Sequence, residues 1–400
     1  MRIGMMADLY KPHVSGVTNH IDLTRRALET VYGQEVFVFT FGEPQPDDDE
    51  RIVRSPGLPL RVASTGLYLN LRYSRRARQL LQTMDVVHVH HPLLSGQLAL
   101  RYARPWGVPI VFTNHTRYDL YMRAYLPLLP DAVGDMALKV YLPRFCREID
   151  LTIAPSPSVA EMLRRLGVDA AIEVVPNGVD LQRFERLPEP WPREQLGWTD
   201  EQVVIAYVGR LAPEKSLPFL LRAFRGVHEV YPQTRLLIVG DGPERDNLQE
   251  RARLMGLADK VVFTGLVPYD EVPRYLRLAD LFATASVTEV HPLSVIEAMA
   301  AGLPVVGVRS PGVGDVVQHE RNGLLVERDV AALASALGRL VSEPETRARL
   351  GQQARQDAQQ YDVRRTAGLL LEHYRRLHQA RAALSASPWK RLQRWFQRYT

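Results

Sequence analysis

The sequence predicts an α/β protein of two doubly wound parallel-sheet domains facing a cleft. Three observations predict it. Short apolar runs alternate with amphipathic stretches along the whole 400 residues, the pattern of parallel strands joined by crossover helices. The runs are nearly continuous in apolar residues, as expected of strands covered on both faces. A turn-forming, proline-rich connector interrupts the alternation near the middle, and the length suits about two domains.

The first half reads as strand Arg2–Ala7, helix Val17–Tyr32, strands Glu35–Phe41 and Val86–His90, helix Leu93–Trp106, strands Pro109–Thr113 and Leu151–Ala154, helix Ser156–Leu166 and strand Ile172–Val175. The second half repeats the logic with strands Val203–Val208, Arg235–Val239, Val261–Phe263, Leu281–Thr284 and Pro304–Val308, each followed by a helical pattern. Between them lies Pro176–Asn177–Gly178–Val179–Asp180, then Pro188, Pro190 and Pro192. Asn-Gly signals a turn, and the prolines stiffen a connector with little to bury. The expected domains are therefore 1–180 and 181–372, with a basic, aromatic helix over 373–400 that crosses back to the first domain or contacts a membrane. In doubly wound folds ligands bind at the carboxyl ends of the strands, so function is expected in the loops that follow them.

Composition narrows the classes. With 46% hydrophobic and 24% charged residues, neither disorder nor a fibrous repeat is the main character. One cysteine, Cys146, excludes an internal disulfide framework and a cysteine-based zinc cluster, and suits a reducing compartment. The net charge of +5 is unevenly placed: residues 373–400 and 51–84 each hold seven Arg/Lys and no acid, leaving the rest of the chain acidic. That distribution argues against nucleic acid as a partner. Met1–Ala7 is apolar but ends at Asp8, so no secretory signal is expected, and no apolar run is long enough to span a bilayer.

Five constellations could carry chemistry. Ser15–Gly16–Val17 precedes the first helix, where glycine lets backbone approach a phosphate and the helix start offers free N–H groups. Gly209–Arg210–Leu211–Ala212–Pro213–Glu214–Lys215 follows a strand, and its two cations suit a pyrophosphate. Val239–Gly240–Asp241–Gly242–Pro243–Glu244 is a strand–glycine turn–helix unit that lacks the third glycine of a dinucleotide fingerprint. Thr288 to Gly302 places Glu289 in a loop and Glu297 inside a helix of small apolar residues, with Pro292 at its first turn. Two such carboxylates flank a helix N-terminus able to bind an anion, where one could hold sugar hydroxyls and the other ribose hydroxyls. Fifth, His115 follows strand Pro109–Thr113 and could hydrogen-bond a substrate hydroxyl or stabilise developing charge. His88, His90 and His91 look like a metal cluster but sit in and just after an apolar strand without an acidic ligand, so they read as structural. Asp47–Glu50 reads as a solvated charge run.

With these residues in hand, the chain resembles the retaining glycosyltransferases of family 4, whose GT-B fold is two facing Rossmann-like domains. The resemblance rests on Glu289-x7-Glu297 with the following Ala-Met-Ala-Ala-Gly-Leu-Pro-Val-Val, on Gly209–Lys215, on Val175–Asp180 and on Ser15–Gly16–Val17. It implies that Arg210 and Lys215 hold a donor diphosphate, Glu297 the ribose and Glu289 the donor sugar. Backbone around Leu293 and Ser294 would help at phosphate and sugar, Gly16 would close on the diphosphate, and His115 would lie beside the transferred sugar. His115 and Glu289 are thus the catalytic candidates, in an N-terminal acceptor domain and a C-terminal nucleotide-sugar domain. A nucleotide-diphosphate sugar is the implied co-substrate, with no cofactor and no metal, because side-chain cations and helix dipoles neutralise the leaving diphosphate. His291–Pro292 departs from the family's more usual aromatic–glycine pair.

The stretch from His115 to Pro130 is similar to the branch that glucosylates diacylglycerol, with Tyr118 and Tyr121 as candidates for a lipid path. At the tail, Trp389 and Trp395 with Arg391 among them stand at helical spacing, the pattern of an interfacial helix on anionic lipid. Packing on the first domain explains that pattern equally well. The basic segment from Arg51 to Met84 is a second contact candidate. The expected activity is hexose transfer, with UDP-glucose as first donor, to a membrane lipid such as 1,2-diacylglycerol, at the inner face of the cell membrane. A soluble sugar acceptor and a nucleotide-sugar 2-epimerase are the alternatives.

Overall fold

The computed structural model describes residues 1–56, 72–117, 131–185, 191 and 193–386. Two compact units emerge: Met1–Gly178 with Val363–Thr400, and Val179–Asp362.

In the first unit the elements run β1 Arg2–Met6, α1 Gly16–Thr30, β2 Glu35–Phe41, β3 Ile52–Ser55, α2 Arg75–Leu81, β4 Val86–Val89, α3 Leu94–Tyr102, β5 Ile110–Thr113, α4 Asp131–Arg147, β6 Leu151–Ala154, α5 Pro157–Arg165 and β7 Ile172–Val174. The seven strands stand in the order β3-β2-β1-β4-β5-β6-β7, all pairs parallel, with Ile3 set opposite Val36 on one side and Val86 on the other. Ser15 and Thr18 close α1 with a capping box: the Thr18 N–H donates to Ser15 Oγ, and the Ser15 N–H donates to Thr18 Oγ1 at 2.8 Å.

The second unit continues with β8 Val203–Val208, α6 Leu217–Val230, β9 Thr234–Val239, α7 Arg245–Leu254, β10 Val261–Phe263, α8 Val272–Arg277, β11 Leu281–Thr284, α9 Leu293–Ala300, β12 Val305–Val308, β13 Gly323–Val326, α10 Val330–Ser342 and α11 Pro344–Ala358. Its six parallel strands stand in the order β10-β9-β8-β11-β12-β13. β8 shows why a continuous apolar run was needed. Val204, Ala206 and Val208 join one core with α9 and α11, while Ile205 and Tyr207 join another with α6 and α10. Each fully buried Leu or Phe in these layers contributes about 1.5–3 kcal/mol.

The last helix, α12 Val363–Ala386, belongs to the first unit. The chain therefore returns at Val363, not at the predicted residue 373. The residues that anchor it, Val363, Ala367, Leu370, Leu371 and Tyr374, form one buried stripe at helical spacing. Packing rather than the change of charge after Glu372 decides where the element starts. Tyr32 adds a hydrogen bond from its hydroxyl to the Arg364 carbonyl at 2.9 Å.

Two expectations about charge change. Part of the 51–84 segment is structural: Arg54 is buried and paired with Asp48, and Arg51 reaches Glu29 at 3.3 Å. The run Asp47–Glu50 is correspondingly not just solvated, since Asp49 also accepts from the buried Arg25 at 2.6 Å. In α12, Arg376 and Arg381 pair with Glu173 and Asp150.

Candidate functional site

In the second unit the functional loops follow β8, β9 and β11, as doubly wound topology requires. The first two interlock through backbone. The Gly209 N–H donates to the Val239 carbonyl at 3.0 Å, Leu211 to Asp241 at 2.9 Å, and Glu244 back to Leu211 at 3.0 Å. This lattice places Arg210 half-exposed, with Glu214 at 2.9 Å. It carries Lys215 to the end of a single 3₁₀ turn, Pro213–Lys215.

Lys215 Nζ donates to Glu289 Oε1 at 2.6 Å, with both side chains largely covered. Burial opposes charge on Glu289, but the Lys215 ammonium and hydrogen bonds from Lys215 and Ser286 hold its carboxyl below the usual carboxylate range. The Glu289 main chain is fixed from behind by Gly312, where a Cβ would fall 2.3 Å from the Glu289 carbonyl oxygen. Next along the chain, His291 is buried edge-on against Tyr361, centroids 5.2 Å apart. Pro292 then starts α9 in an extended conformation and provides no side-chain cap. The first turn, at Leu293 and Ser294, therefore offers N–H groups suited to an anion.

One turn further, Glu297 is only 4% exposed. Tyr269 donates its hydroxyl to Glu297 Oε1 at 2.6 Å. Burial pushes the Glu297 carboxyl up, against the Tyr269 hydrogen bond and the Arg183 charge. Arg183 lies over the Tyr269 ring at 4.9 Å and donates to Asp180 at 2.9 Å. Neither Tyr269 nor Arg183 was singled out from sequence. Tyr269 could have been, since it sits in the loop after β10 and obeys the same rule as the other loops.

The first unit contributes a different cluster. Gly16 opens α1, and a Cβ there would meet nothing within 4 Å, so packing does not demand glycine. His115 lies two residues beyond β5, and its Nε2 is 2.9 Å from Nδ1 of His90, the rings nearly parallel. His88 is buried between Tyr374, at 2.6 Å from Nδ1, and Thr113, at 2.7 Å from Nε2. His20, on the buried face of α1, has its ring centroid 4.8 Å from that of His115. Burial pushes all four imidazoles down, His20 to about 4 and His88 to about 3, so the cluster is neutral at physiological pH.

The structural reading thus fits His88, whereas His90 faces His115 directly. Ring nitrogens of His20, His90 and His115 lie within 4.8 Å of one another, a grouping different from the His88–His90–His91 run seen in the sequence. It lacks the outer partners that orient metal-bound histidines: neither nitrogen of His20, nor Nε2 of His90, has a hydrogen-bond partner among the described residues.

The structure brings Arg210, Lys215, Glu289, Leu293, Ser294 and Glu297 into one unit, and Gly16 and His115 into the other. Tyr118, Tyr121, Trp389, Arg391 and Trp395 lie outside the described residues. Among the described residues no helix is long and apolar enough to cross a membrane.

Residues 14–183 match the family described as Glycosyltransferase Family 4, and residues 191–357 match Glycosyl transferases group 1. The chain is 32% identical over 348 residues to the alpha-monoglucosyldiacylglycerol synthase of Acholeplasma laidlawii, across 82% of this chain and 85% of that protein. The chain belongs to glycosyltransferase family 4. A D-inositol 3-phosphate glycosyltransferase of Saccharomonospora viridis is 34% identical over 388 residues, covering 89% of this chain and 86% of the relative. Among solved structures, Anabaena HepE in complex with UDP-glucose superposes with a TM-score of 0.76 at 21% identity, covering 93% of this chain and 99% of that one. The fold of this family 4 enzyme is GT-B, and it is a hexosyltransferase related to glycolipid synthases.

Proposed function

We propose that this enzyme moves a hexose, with glucose from UDP-glucose the first choice, onto a hydroxyl of a membrane lipid such as 1,2-diacylglycerol, with retention at the anomeric carbon. The observation that carries the lipid acceptor is the 32% identity across 82% of the chain to a synthase named for that product. UDP-glucose is favoured by the ligand named with the HepE structure. Peripheral attachment to an anionic bilayer on the cytoplasmic side belongs to the same reading.

The proposed roles are those the family resemblance implies, and charge and burial support them. Arg210, Lys215 and the α9 N-terminus neutralise the donor diphosphate, which enters by drawing the two cations partly away from Glu214 and Glu289. Backbone at Leu293 and Ser294 assists, and glycine at position 16 leaves the α1 N-terminus open to a phosphate. Glu289, kept anionic, accepts from sugar hydroxyls; Glu297 accepts from ribose hydroxyls, with Tyr269 fixing its other face. The bond from anomeric carbon to diphosphate oxygen breaks as the acceptor oxygen bonds that carbon on the same face. The acceptor proton passes to the departing diphosphate. Cationic side chains and helix dipoles supply the stabilisation without a metal, so transfer is expected to continue at an unchanged rate in EDTA.

Glu297 predicts a pH dependence. Its carboxyl is pushed above the ordinary value of 4.5, so it protonates earlier on acidification than Glu289, which is pushed below that value. Protonation removes an anionic acceptor for ribose, so the donor KM is expected to rise as pH falls through the raised value and to be flat above it. Steady-state kinetics on wild type and Glu297→Gln check this: the rise belongs to wild type alone, and a flat wild-type profile would contradict the ribose role.

The function itself is tested by offering purified enzyme several nucleotide sugars against diacylglycerol in anionic vesicles, soluble inositol phosphate, and no acceptor, with products read by mass. Hexosyl-diacylglycerol is expected. Transfer to inositol phosphate alone would replace the lipid reading, and sugar conversion without acceptor would indicate an epimerase. Vesicle flotation of the full chain and a 1–386 truncation tests the membrane claim, and flotation of neither would remove it.

A further inference from the structure

His90 has no place in the scheme above, yet it is fully buried and touches His115, the first-unit candidate that the family resemblance sets beside the transferred sugar. Its position is rigid. It follows β4, and its N–H donates to the Met6 carbonyl at 2.9 Å. His88 lies tilted against it at 4.3 Å between centroids, and His88 is itself held at both ring nitrogens by Tyr374 and Thr113. The chain from α12 to His115 therefore runs Tyr374, His88, His90, His115, each in contact with the next.

We propose that His90 is a positioning residue that holds His115 with its proton on Nδ1, so that His115 meets the substrate as a hydrogen-bond donor. The contact between His90 Nδ1 and His115 Nε2, at 2.9 Å, contains one proton shared by two neutral rings. Two arrangements are possible. If His115 Nε2–H donates, His90 must carry its own proton on Nε2, which is buried and has no partner among the described residues. If His90 Nδ1–H donates, what is left unpaired at that buried position is only a lone pair.

Orphaned buried N–H groups are rarer and costlier than under-used acceptors, so the second arrangement is the stable one. It makes His115 Nε2 an acceptor and puts the His115 proton on Nδ1, the nitrogen left available for a ligand. Neutral rings are required, and burial provides them. A donor at that place can hydrogen-bond a hydroxyl oxygen of the transferred sugar, or a departing phosphate oxygen, which a bare nitrogen cannot serve. What the donor does to a sugar rests on the transferase reading; the tautomer does not.

The test combines spectroscopy and kinetics on the full chain. A long-range proton–nitrogen spectrum of histidine-labelled protein, with His115 identified by its loss in His115→Gln, is expected to show the proton on Nδ1. His90→Phe removes the donor and is expected to lose that single tautomer. It should also lower kcat about tenfold or more while donor KM stays within about threefold. His90→Asn, whose amide N–H occupies the place of Nδ1–H, is expected to restore both.

A proton on Nε2 of wild-type His115 overturns the proposal, and so does His90→Phe with wild-type tautomer and kcat. An Asn variant no better than Phe, at equal melting temperature, also overturns it. Should His90→Phe not fold, the wild-type spectrum and His90→Asn decide alone. Wild-type protein that shows the Nδ1 proton but transfers no sugar would refute the transferase reading of the site and uphold the tautomer.

Discussion

Lys215→Ala is expected to lower hexosyl transfer on the order of 10²-fold to 10³-fold, the range for losing one preorganised group that stabilises developing charge. Two losses combine. The diphosphate loses a point charge at the moment its negative charge grows. Glu289 loses the partner, 2.6 Å away, that keeps it ionised in a largely covered site. With the ammonium gone, burial is opposed only by the hydrogen bond from Ser286, and the Glu289 carboxyl moves up.

The acid limb of the rate profile is therefore expected to move to higher pH in Lys215→Ala than in wild type. Because Glu289's folded value lies below the ordinary 4.5, its pair with Lys215 contributes stability that is present above 4.5 and lost as pH falls through the folded value. Glu289→Gln is expected to be comparably slow, and the double variant no slower than the worse single one, since the two act as a unit. Steady-state rates over donor concentration and pH check all three. A Lys215→Ala enzyme within threefold of wild type would remove both residues from the donor site.

The parallel strands were legible because their physics is local. A strand buried on both faces must be a short, unbroken apolar run, and Val203–Val208 or Glu35–Phe41 can be little else. Their ends shifted by a residue or so, where a strand frays into a loop. β3 and β13 were missed for the opposite reason. Ile52–Ser55 and Gly323–Val326 are four-residue edge strands, the former with a polar half, and only pairing with a neighbour distinguishes them from loops.

The candidate residues of the second unit were legible where polar chemistry is concentrated in a short stretch, as in Gly209–Lys215 and Glu289–Glu297, and the structure pairs Lys215 with Glu289. Groups whose meaning is a distant partner were not. Tyr269 matters through Glu297, His90 through His115, and Tyr374 through His88, pairs separated by 28, 25 and 286 residues. Charge was misleading in the same way. The two basic strips, read by composition, were candidates for contact with anionic lipid, whereas Arg51, Arg54, Arg376 and Arg381 find acids elsewhere in their own unit.

Gly240→Ala is expected to be the most damaging single methyl group in the second unit. Gly240 has φ of 137°, which only glycine adopts without strain. An added Cβ would fall 2.1 Å from the Gly209 carbonyl oxygen and 3.0 Å from its carbon. Neither neighbour can give way cheaply. Gly209 is tied to Val239, and the Gly240 N–H donates to the Gly265 carbonyl at 3.1 Å. Strain and clash together are expected to cost roughly 3 kcal/mol or more, lowering the unit's melting temperature by about 6–12 °C.

What survives would hold Arg210 out of place, so donor binding should fall as well. Gly16→Ala supplies the contrast. Its Cβ would meet nothing within 4 Å and sits in the first turn of α1, where Ala forms helix at least as well as Gly. The melting temperature is therefore expected to hold or rise. Transfer should still fall on the order of tenfold if the proposed phosphate role of Gly16 holds, because the methyl group stands at the α1 N-terminus. Thermal melts and donor kinetics on the two variants separate a glycine kept for packing from one kept for a ligand. Unchanged kinetics in Gly16→Ala would remove α1 from the donor site while leaving Gly240's role in the fold intact.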